Sequence, residues 1–125
     1  MIQQKNGFTE TESKFITKQI ITTLHYLHSG GIAHRDIKLE NIIVDAEMKI
    51  KIIDFGFISI NNIEAQTKFI GTGTYMAPEI RKGLQYDGKA VDIFSTGVVL
   101  FTMVTSNFPF NKAEKSDEIY NLIRK

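Results

Sequence analysis

Chemically capable side chains concentrate in two short stretches of this sequence, HRDIKLEN at residues 34–41 and DFG at residues 54–56. Asp36 supplies a carboxylate, and Lys38 supplies a compact cation on a flexible stem. Asn41 and Asp54 offer the hard oxygen atoms that Mg²⁺ prefers as ligands. A carboxamide beside a carboxylate keeps the negative charge of such a site low, so this combination suits a site that receives a triphosphate.

A third motif, APE at residues 77–79, follows the other two. Each motif alone has an ordinary structural interpretation: a solvated turn, a strand end, and a helix start with Pro in the first turn. At about one residue type in twenty for each defined position, all three coincide at fixed spacing with a probability on the order of 10^-14. In this order they resemble the catalytic loop, the metal-binding turn and the end of the activation segment of a eukaryotic protein kinase.

The resemblance implies a role for these side chains in phosphoryl transfer from ATP to a protein. In that chemistry the protein mainly positions the reactants and neutralises charge on the transferring group. Asp36 is then expected to accept and orient the substrate hydroxyl, and Lys38 to contact the γ-phosphate. Asn41 and Asp54 are expected to bind the nucleotide through Mg²⁺. The implied cofactors are therefore ATP and Mg²⁺.

Two features indicate the serine/threonine class of kinase. Lys38 stands where tyrosine kinases have an arginine-containing pattern. The run GTGTYM at residues 71–76 places Thr72 where serine/threonine kinases have a threonine that bonds the catalytic Asp and Lys. This run resembles the calcium/calmodulin-dependent and AMP-activated kinase group most. The implied partner is a protein substrate with a Ser or Thr hydroxyl, and the motifs do not specify which protein it is.

Arg35 directly precedes Asp36, and the resemblance gives Arg35 a regulatory role. Kinases with this pair are often switched by a phosphate on the activation segment that the arginine binds. Thr67 is the nearest acceptor, but it lies one residue earlier than the usual spacing before Gly71, and Lys68 occupies the usual position. Three interpretations stay open: a phosphorylated Thr67, a constitutive charge from Lys68, and a solvated threonine without a regulatory role.

The residues before the first motif have the pattern of an amphipathic helix. Thr9 and Glu12 match a capping box at its start, and the glycines after Ser29 end it. An apolar stripe along this helix consists of Ile16, Ile20, Leu24 and Leu27. The helix resembles the kinase helix that leads straight into the catalytic loop.

Residues 42–44 and 48–53 read as two short strands joined by a polar turn, because apolar residues alternate with lysines in the second strand. This hairpin next to the catalytic loop returns the chain to the same edge, so Asn41 and Asp54 are expected to meet. A turn within residues 59–69 makes that segment the predicted flexible part of the chain. Together with the helices, the hairpin indicates an α+β, protein-kinase-like fold with a mainly helical large lobe.

Three histidines lie in or near the first helix. His25 and His28 are one turn apart, which could form part of a metal site. The sequence offers no Cys and no third ligand in helical register, so a partly exposed helix face is the favoured interpretation. The resemblance implies that His34 is a packed structural residue.

Residues 91–104 form a predicted helix that is apolar on nearly every face and is therefore expected to be buried at the centre of a domain. The run is shorter than the roughly twenty apolar residues that span a bilayer. The resemblance implies that Asp92 bonds the backbone of the catalytic loop, and a carboxylate at a helix N-terminus is also favourable by itself. Phe94 stands where the family usually has Trp.

The resemblance begins near Gly7, so residues 1–125 are interpreted as one partial kinase domain. They extend from the helix before the catalytic loop to just past the central helix. The Gly-rich loop, the ATP-binding lysine and the hinge of the small lobe are absent from this sequence, as is the arginine that pairs with Glu79 in the family. Two functions remain: part of a Ser/Thr kinase, inactive as this chain alone, or a non-catalytic kinase-like binding module.

Composition narrows the expected partners. With 15 Lys and Arg against 14 Asp and Glu the net charge is +1, and the interspersed charges give no footprint for nucleic acid. The polar start of the chain lacks the pattern of a signal peptide, so an intracellular, cytoplasmic location without membrane contact is expected. The absence of Cys excludes a disulfide scaffold. The oligomeric state is not specified by the sequence.

Overall fold

The computed structural model describes residues 7–61 and 67–125. The helices and strands, in chain order, are α1 (Glu10–Ser29), β1 (Ile32–Ala33), β2 (Ile42–Val44), β3 (Ile50–Ile52), β4 (Ser59–Ile60), α2 (Pro78–Arg81), α3 (Gly88–Thr105) and α4 (Glu118–Ile123). Single turns of 3₁₀ helix cover Leu39–Asn41 and Gly73–Tyr75. The predicted α+β, mainly helical fold is confirmed. The predicted flexible segment 59–69 includes residues 62–66, which lie outside the described residues.

α1 begins where the capping box predicts. The backbone N–H of Glu12 donates to the hydroxyl of Thr9 at 3.2 Å, and the backbone N–H of Thr9 donates to the carboxylate of Glu12 at 2.8 Å. The predicted apolar stripe is fully buried at Ile16, Ile20 and Leu24 and half-buried at Leu27. This helix leads directly into the HRDIKLEN stretch.

β2 and β3 form the predicted antiparallel hairpin. The second strand begins later than predicted, because Met48 lies in the turn with a left-handed backbone, φ 62°. Just after β3, the backbone N–H of Ile53 donates to the carbonyl of Asn41 at 2.9 Å. The hairpin thus brings the residue before Asp54 against Asn41.

β1 and β4 form a second antiparallel pair of strands, which the sequence does not predict. Ala33 lies opposite Ser59 in this pair. Each strand has only 2 residues, too few for an alternation of apolar and polar side chains to show. The pair joins the chain just before the HRDIKLEN stretch to the chain just after the DFG turn.

α3 is the central helix and packs along α1. It begins earlier than predicted, because the side chain of Asp87 accepts from the backbone N–H of Lys89 at 2.9 Å and caps the helix. This helix is buried on the sides that face the core, but it is not buried on every face. Three apolar side chains along one side are exposed, namely Ile93 (49%), Phe101 (42%) and Val104 (47%). None of the described residues covers this side of α3.

Two apolar clusters pack on the buried faces of α3. The larger cluster joins α1, α3 and the hairpin around Leu24 and Val99. The smaller cluster places Ile80 of α2 against Val91 near the start of α3. Half-buried Phe94 contacts both clusters, so the replacement of the usual Trp leaves the packing intact.

α3 is also apolar enough to resemble a membrane span. Its mean hydropathy over 18 residues is 1.3, and by length and composition it is the one helix of the described residues that could cross a membrane. A helix in the core of a domain has the same composition. Asp92 on α3 is fully buried. The apolar side of α3 that faces α1 is covered by the packing of the two helices.

Candidate active site

The loop of residues 34–41 and the segment of residues 71–76 meet at three polar side chains. Lys38 Nζ lies 2.9 Å from Asp36 Oδ2 and donates to the Thr72 hydroxyl at 2.9 Å. The Thr72 hydroxyl in turn donates to Asp36 Oδ1 at 2.8 Å. Asp36 is 4% exposed, so its carboxylate is held within this triangle. The structure thus brings together the three side chains that the sequence assigns to catalysis.

Asn41 lies beside that triangle, and Asp54 directly follows Ile53, whose backbone N–H donates to the carbonyl of Asn41. The amide nitrogen of Asn41 donates to the carbonyl of Asp36 at 2.9 Å and to Asp36 Oδ2 at 3.1 Å. This leaves the amide oxygen of Asn41 as the acceptor available to a cation. Asp54 is exposed, and its Oδ1 accepts from the backbone N–H of Gly56 at 3.2 Å.

This donor set fits Mg²⁺. Mg²⁺ is usually bound by one or two protein oxygens and completed by water and phosphate oxygens. Asn41 and Asp54 supply one amide oxygen and one carboxylate. Within residues 7–61 and 67–125 no cluster of three or more His, Cys, Asp or Glu could hold a metal by itself. A cation here would therefore depend on phosphate for much of its coordination.

Asp92 holds the start of the 34–41 loop. It is fully buried, and its two carboxylate oxygens accept from the backbone N–H of His34 at 2.9 Å and of Arg35 at 2.7 Å. Arg35 has a left-handed backbone, φ 66°, which costs energy for a residue with a side chain. The two hydrogen bonds to Asp92 are those that the resemblance implies, and they help to hold this conformation. His34 is also fully buried, which confirms it as a packed structural residue.

His28 is partly exposed, as the sequence predicts, but it also contacts a buried carboxylate that the sequence does not indicate. Its Nε2 lies 2.8 Å from Asp92 Oδ2, and its side chain is only 14% exposed. His25, one turn earlier, is exposed as expected. His28 and Asp92 are 64 positions apart, so no local pattern in the sequence signals their contact.

The guanidinium of Arg35 is engaged with backbone and a phenol. It donates to the carbonyls of Phe57 at 2.6 Å and Ile58 at 3.3 Å and to the hydroxyl of Tyr86 at 3.4 Å. The Tyr86 hydroxyl donates to the carbonyl of Lys68 at 3.0 Å. Arg35 is thereby linked to the residue after Thr67, whose own side chain is exposed.

Tyr75 lies in the same segment as Thr72, and the pKa of its phenol is raised. It is 4% exposed, and burial, followed by the nearby charge of Glu40, raises its pKa from 10.0 to about 12. The backbone carbonyl of Tyr75 accepts from the hydroxyl of Ser95 on α3 at 2.8 Å. These contacts fix the segment after Thr72 to α3, and no motif in the sequence predicts the proximity of Tyr75 and Glu40.

The APE motif forms the predicted helix start. Ala77 is the N-cap of α2, and Pro78 occupies the first turn, where its missing N–H costs nothing. Among the described residues Glu79 forms no salt bridge. The sequence does not predict the ion pair of Arg81 on the same helix with Glu114, 2.9 Å apart.

Two segments distant in the sequence, residues 34–41 and 71–76, thus meet at one carboxylate, that of Asp36. The chain belongs to the protein kinase family: the family described as "Protein kinase domain" matches residues 1–125.

Curated relatives support the same class. Serine/threonine-protein kinase PSK1 of Saccharomyces cerevisiae is 43% identical over 88% of this chain and 8% of the relative. NUAK family SNF1-like kinase 1 of Homo sapiens is 38% identical over 98% of this chain and 18% of the relative. Serine/threonine-protein kinase SAPK2 of Oryza sativa subsp. indica is 39% identical over 86% of this chain and 33% of the relative. The recognition as a serine/threonine protein kinase is confirmed, and the chain spans at most a third of the length of these relatives.

Proposed function

We propose that the protein containing this chain transfers the γ-phosphate of ATP to Ser or Thr hydroxyls of proteins, with residues 1–125 as part of the large lobe. The triangle of Asp36, Lys38 and Thr72 carries this proposal. It places a nearly buried carboxylate, a cation and a hydroxyl within 2.9 Å of one another. An intracellular location, where ATP is available, goes with this function.

Each residue of the site has a separate task in the proposed reaction. Asp36 accepts a hydrogen bond from the substrate hydroxyl and orients its oxygen towards the γ-phosphate. Lys38 places its ammonium against the transferring group, whose negative charge it offsets. Thr72 holds Asp36 and Lys38 at a fixed separation, so little reorganisation is needed when the substrate arrives.

The nucleotide side of the site is assigned to two other residues. Asn41 and Asp54 would hold Mg²⁺, which supplies charge neutralisation on the phosphate oxygens when bound. Asn41 also donates to the Asp36 carboxylate at 3.1 Å. It thereby links the nucleotide side of the site to the substrate side.

We also propose a regulatory role for Arg35, with Thr67 as the candidate phosphorylation site. The contact that supports it runs from Arg35 through the Tyr86 hydroxyl to the carbonyl of Lys68, beside Thr67. Mass spectrometry of the active full-length protein tests the assignment. An unmodified Thr67 in fully active protein excludes the switch.

Phosphate transfer by the full-length protein tests the proposed function. In Mg²⁺ and ATP, the wild-type protein is expected to phosphorylate Ser or Thr in a generic peptide mixture, and Asp36→Asn is expected to reduce the rate about 1000-fold or more. Asp45→Asn, in the exposed turn of the hairpin, is the matched control and retains activity. Binding of the peptides without any transfer would favour the alternative, a non-catalytic kinase-like module.

A further inference from the structure

Arg81, the last residue of α2, places its guanidinium inside the protein rather than in solvent. The side chain is 7% exposed. Nη1 donates to Glu114 Oε1 at 2.9 Å, and Nη2 donates to the carbonyl of Gly73. The second carboxylate oxygen of Glu114 accepts from the hydroxyl of Ser116 at 3.3 Å. One side chain therefore joins α2, the segment after Thr72, and the connection between α3 and α4.

The backbone that Arg81 contacts is directly beside the site, because Gly73 follows Thr72. This stretch has little stiffness of its own: Gly71 and Gly73 have positive φ angles of 128° and 25°, and glycine restricts the backbone least. The Gly73 carbonyl otherwise accepts from the backbone N–H of Met76 at 3.2 Å, which closes a single 3₁₀ turn. A hydrogen bond from a buried, ion-paired arginine adds a fixed point to this flexible stretch.

Fold stability alone does not explain why an arginine is buried at this position. Among the described residues, Arg81 Nε is buried without a hydrogen-bond partner, and an unpaired buried donor destabilises a fold. The carboxylate partner, Glu114, is 39% exposed, and an ion pair with an exposed partner contributes little stability. The burial of Arg81 is better explained by the geometry that its guanidinium imposes on its two acceptors, Glu114 and the Gly73 carbonyl.

We propose that Arg81, held by Glu114, is a positioning residue for residues 72–75 and sets how a polypeptide substrate lies beside Asp36. The inference rests on the proposed kinase function. A substrate hydroxyl that reaches Asp36 comes within contact distance of Thr72, which is 2.8 Å from that carboxylate. The backbone that Arg81 fixes is therefore next to the substrate chain. Neither partner of Arg81 belongs to the residues assigned to the nucleotide.

Steady-state kinetics of the full-length protein test this with Arg81→Met, which removes the guanidinium and keeps an apolar stem. The KM for a peptide substrate is expected to rise about fivefold or more, while the KM for ATP changes by less than about twofold. Lys82→Met, at an exposed position one residue later, is the matched control and leaves both values unchanged. Glu114→Gln keeps an acceptor for Arg81 without the charge and is expected to give an intermediate effect.

Two kinetic outcomes overturn the proposal: equal rises in both KM values, and Arg81→Met kinetics that match those of Lys82→Met. If Arg81→Met does not fold, Arg81→Lys replaces it. A single ammonium cannot donate to two acceptors in the fixed geometry of a guanidinium. The KM for the peptide is therefore expected to rise less than in Arg81→Met, while the KM for ATP again stays nearly unchanged.

Hydrogen exchange separates this proposal from the proposed kinase function. The backbone of residues 71–76 is expected to exchange faster in Arg81→Met than in Lys82→Met, even in a protein that transfers no phosphate. Equal exchange in the two variants overturns the positioning role. Absence of phosphate transfer in the wild-type protein, with faster exchange in Arg81→Met, overturns only the kinase function.

Discussion

Thr72 joins two segments of the site through a single hydroxyl, which accepts from Lys38 and donates to Asp36. Thr72→Val keeps the shape of the side chain and removes both hydrogen bonds, so kcat is expected to fall about 10- to 100-fold. Thr72→Ser retains the hydroxyl and is expected to keep most of the activity. Steady-state kinetics of the full-length protein measure both, and a Val variant as active as the Ser variant would count against a role for this hydroxyl.

The residues of the site differ in how far the sequence predicts their contacts. Asp36, Lys38 and Asn41 are close in the sequence, so the chemistry of one short loop suffices to group them. Thr72 and Asp92 could be assigned only through the family resemblance. His28 could not be assigned, because its contact with Asp92 depends on the packing of α1 against α3.

At the scale of secondary structure, Asp92 ties α3 to the 34–41 loop. Asp92→Ala would leave the backbone N–H groups of His34 and Arg35 buried without their acceptor, and each such group costs about 1–3 kcal/mol. Unfolding of the full-length protein is expected to show a loss of roughly 3 kcal/mol or more. Asp87→Ala, which removes the cap of the same helix, is expected to cost about 1 kcal/mol. Equal losses in the two variants would refute the special role of Asp92.

Tyr75 gives the 71–76 segment a measurable pH dependence. Burial, with a smaller contribution from the Glu40 charge, raises its pKa from 10.0 to about 12. Between these values the unfolded chain releases the phenolic proton and the folded chain keeps it. The contribution of this group to stability is therefore complete below pH 10 and is lost as the pH rises towards about 12.

Phenolate absorbance during an alkaline titration measures this pKa, with Tyr75→Phe identifying the signal. Glu40→Gln is expected to lower the pKa of Tyr75 only in part, because burial is the larger cause. A Tyr75 that titrates near 10 in the folded wild-type protein would contradict the buried environment described for it.

Sequence patterns predict the long elements of this fold better than the short ones. The capping box locates the start of α1, because the signal lies within one turn of the helix. The pairing of Ile32–Ala33 with Ser59–Ile60 has no such local signal. An exposed apolar side of α3 is predictable from the sequence, because a helix that is apolar on nearly every face needs neighbours all round and this chain supplies few of them. Hydrophobicity does not show which side is exposed.

At the scale of the whole molecule, the exposed apolar residues make the isolated chain a poor candidate for independent stability. Ile93, Phe101 and Val104 form a stripe on α3, and Ile119 and Leu122 add exposed apolar surface on α4. Contiguous apolar surface of this kind favours association. The 125-residue chain alone is expected to unfold with low cooperativity, to aggregate or to require a partner.

Thermal unfolding combined with sedimentation measures this property of the isolated chain. A sharp, reversible transition of a monomer would show that the prediction is wrong. The same chain is expected to show no kinase turnover by itself, since ATP in this family is held between two lobes and the sequence carries the motifs of only one.

The division of tasks between Asp36 and Asp54 is the central claim about the active site. The most direct test compares Asp36→Ala and Asp54→Ala in the full-length protein by measuring Mg-ATP affinity and the rate of phosphate transfer. Asp36→Ala is expected to bind Mg-ATP nearly as the wild type does while the transfer rate falls about 1000-fold or more, and Asp54→Ala is expected to lose Mg-ATP affinity as well. Equal losses of nucleotide affinity in both variants, or undiminished transfer by Asp36→Ala, would contradict the account.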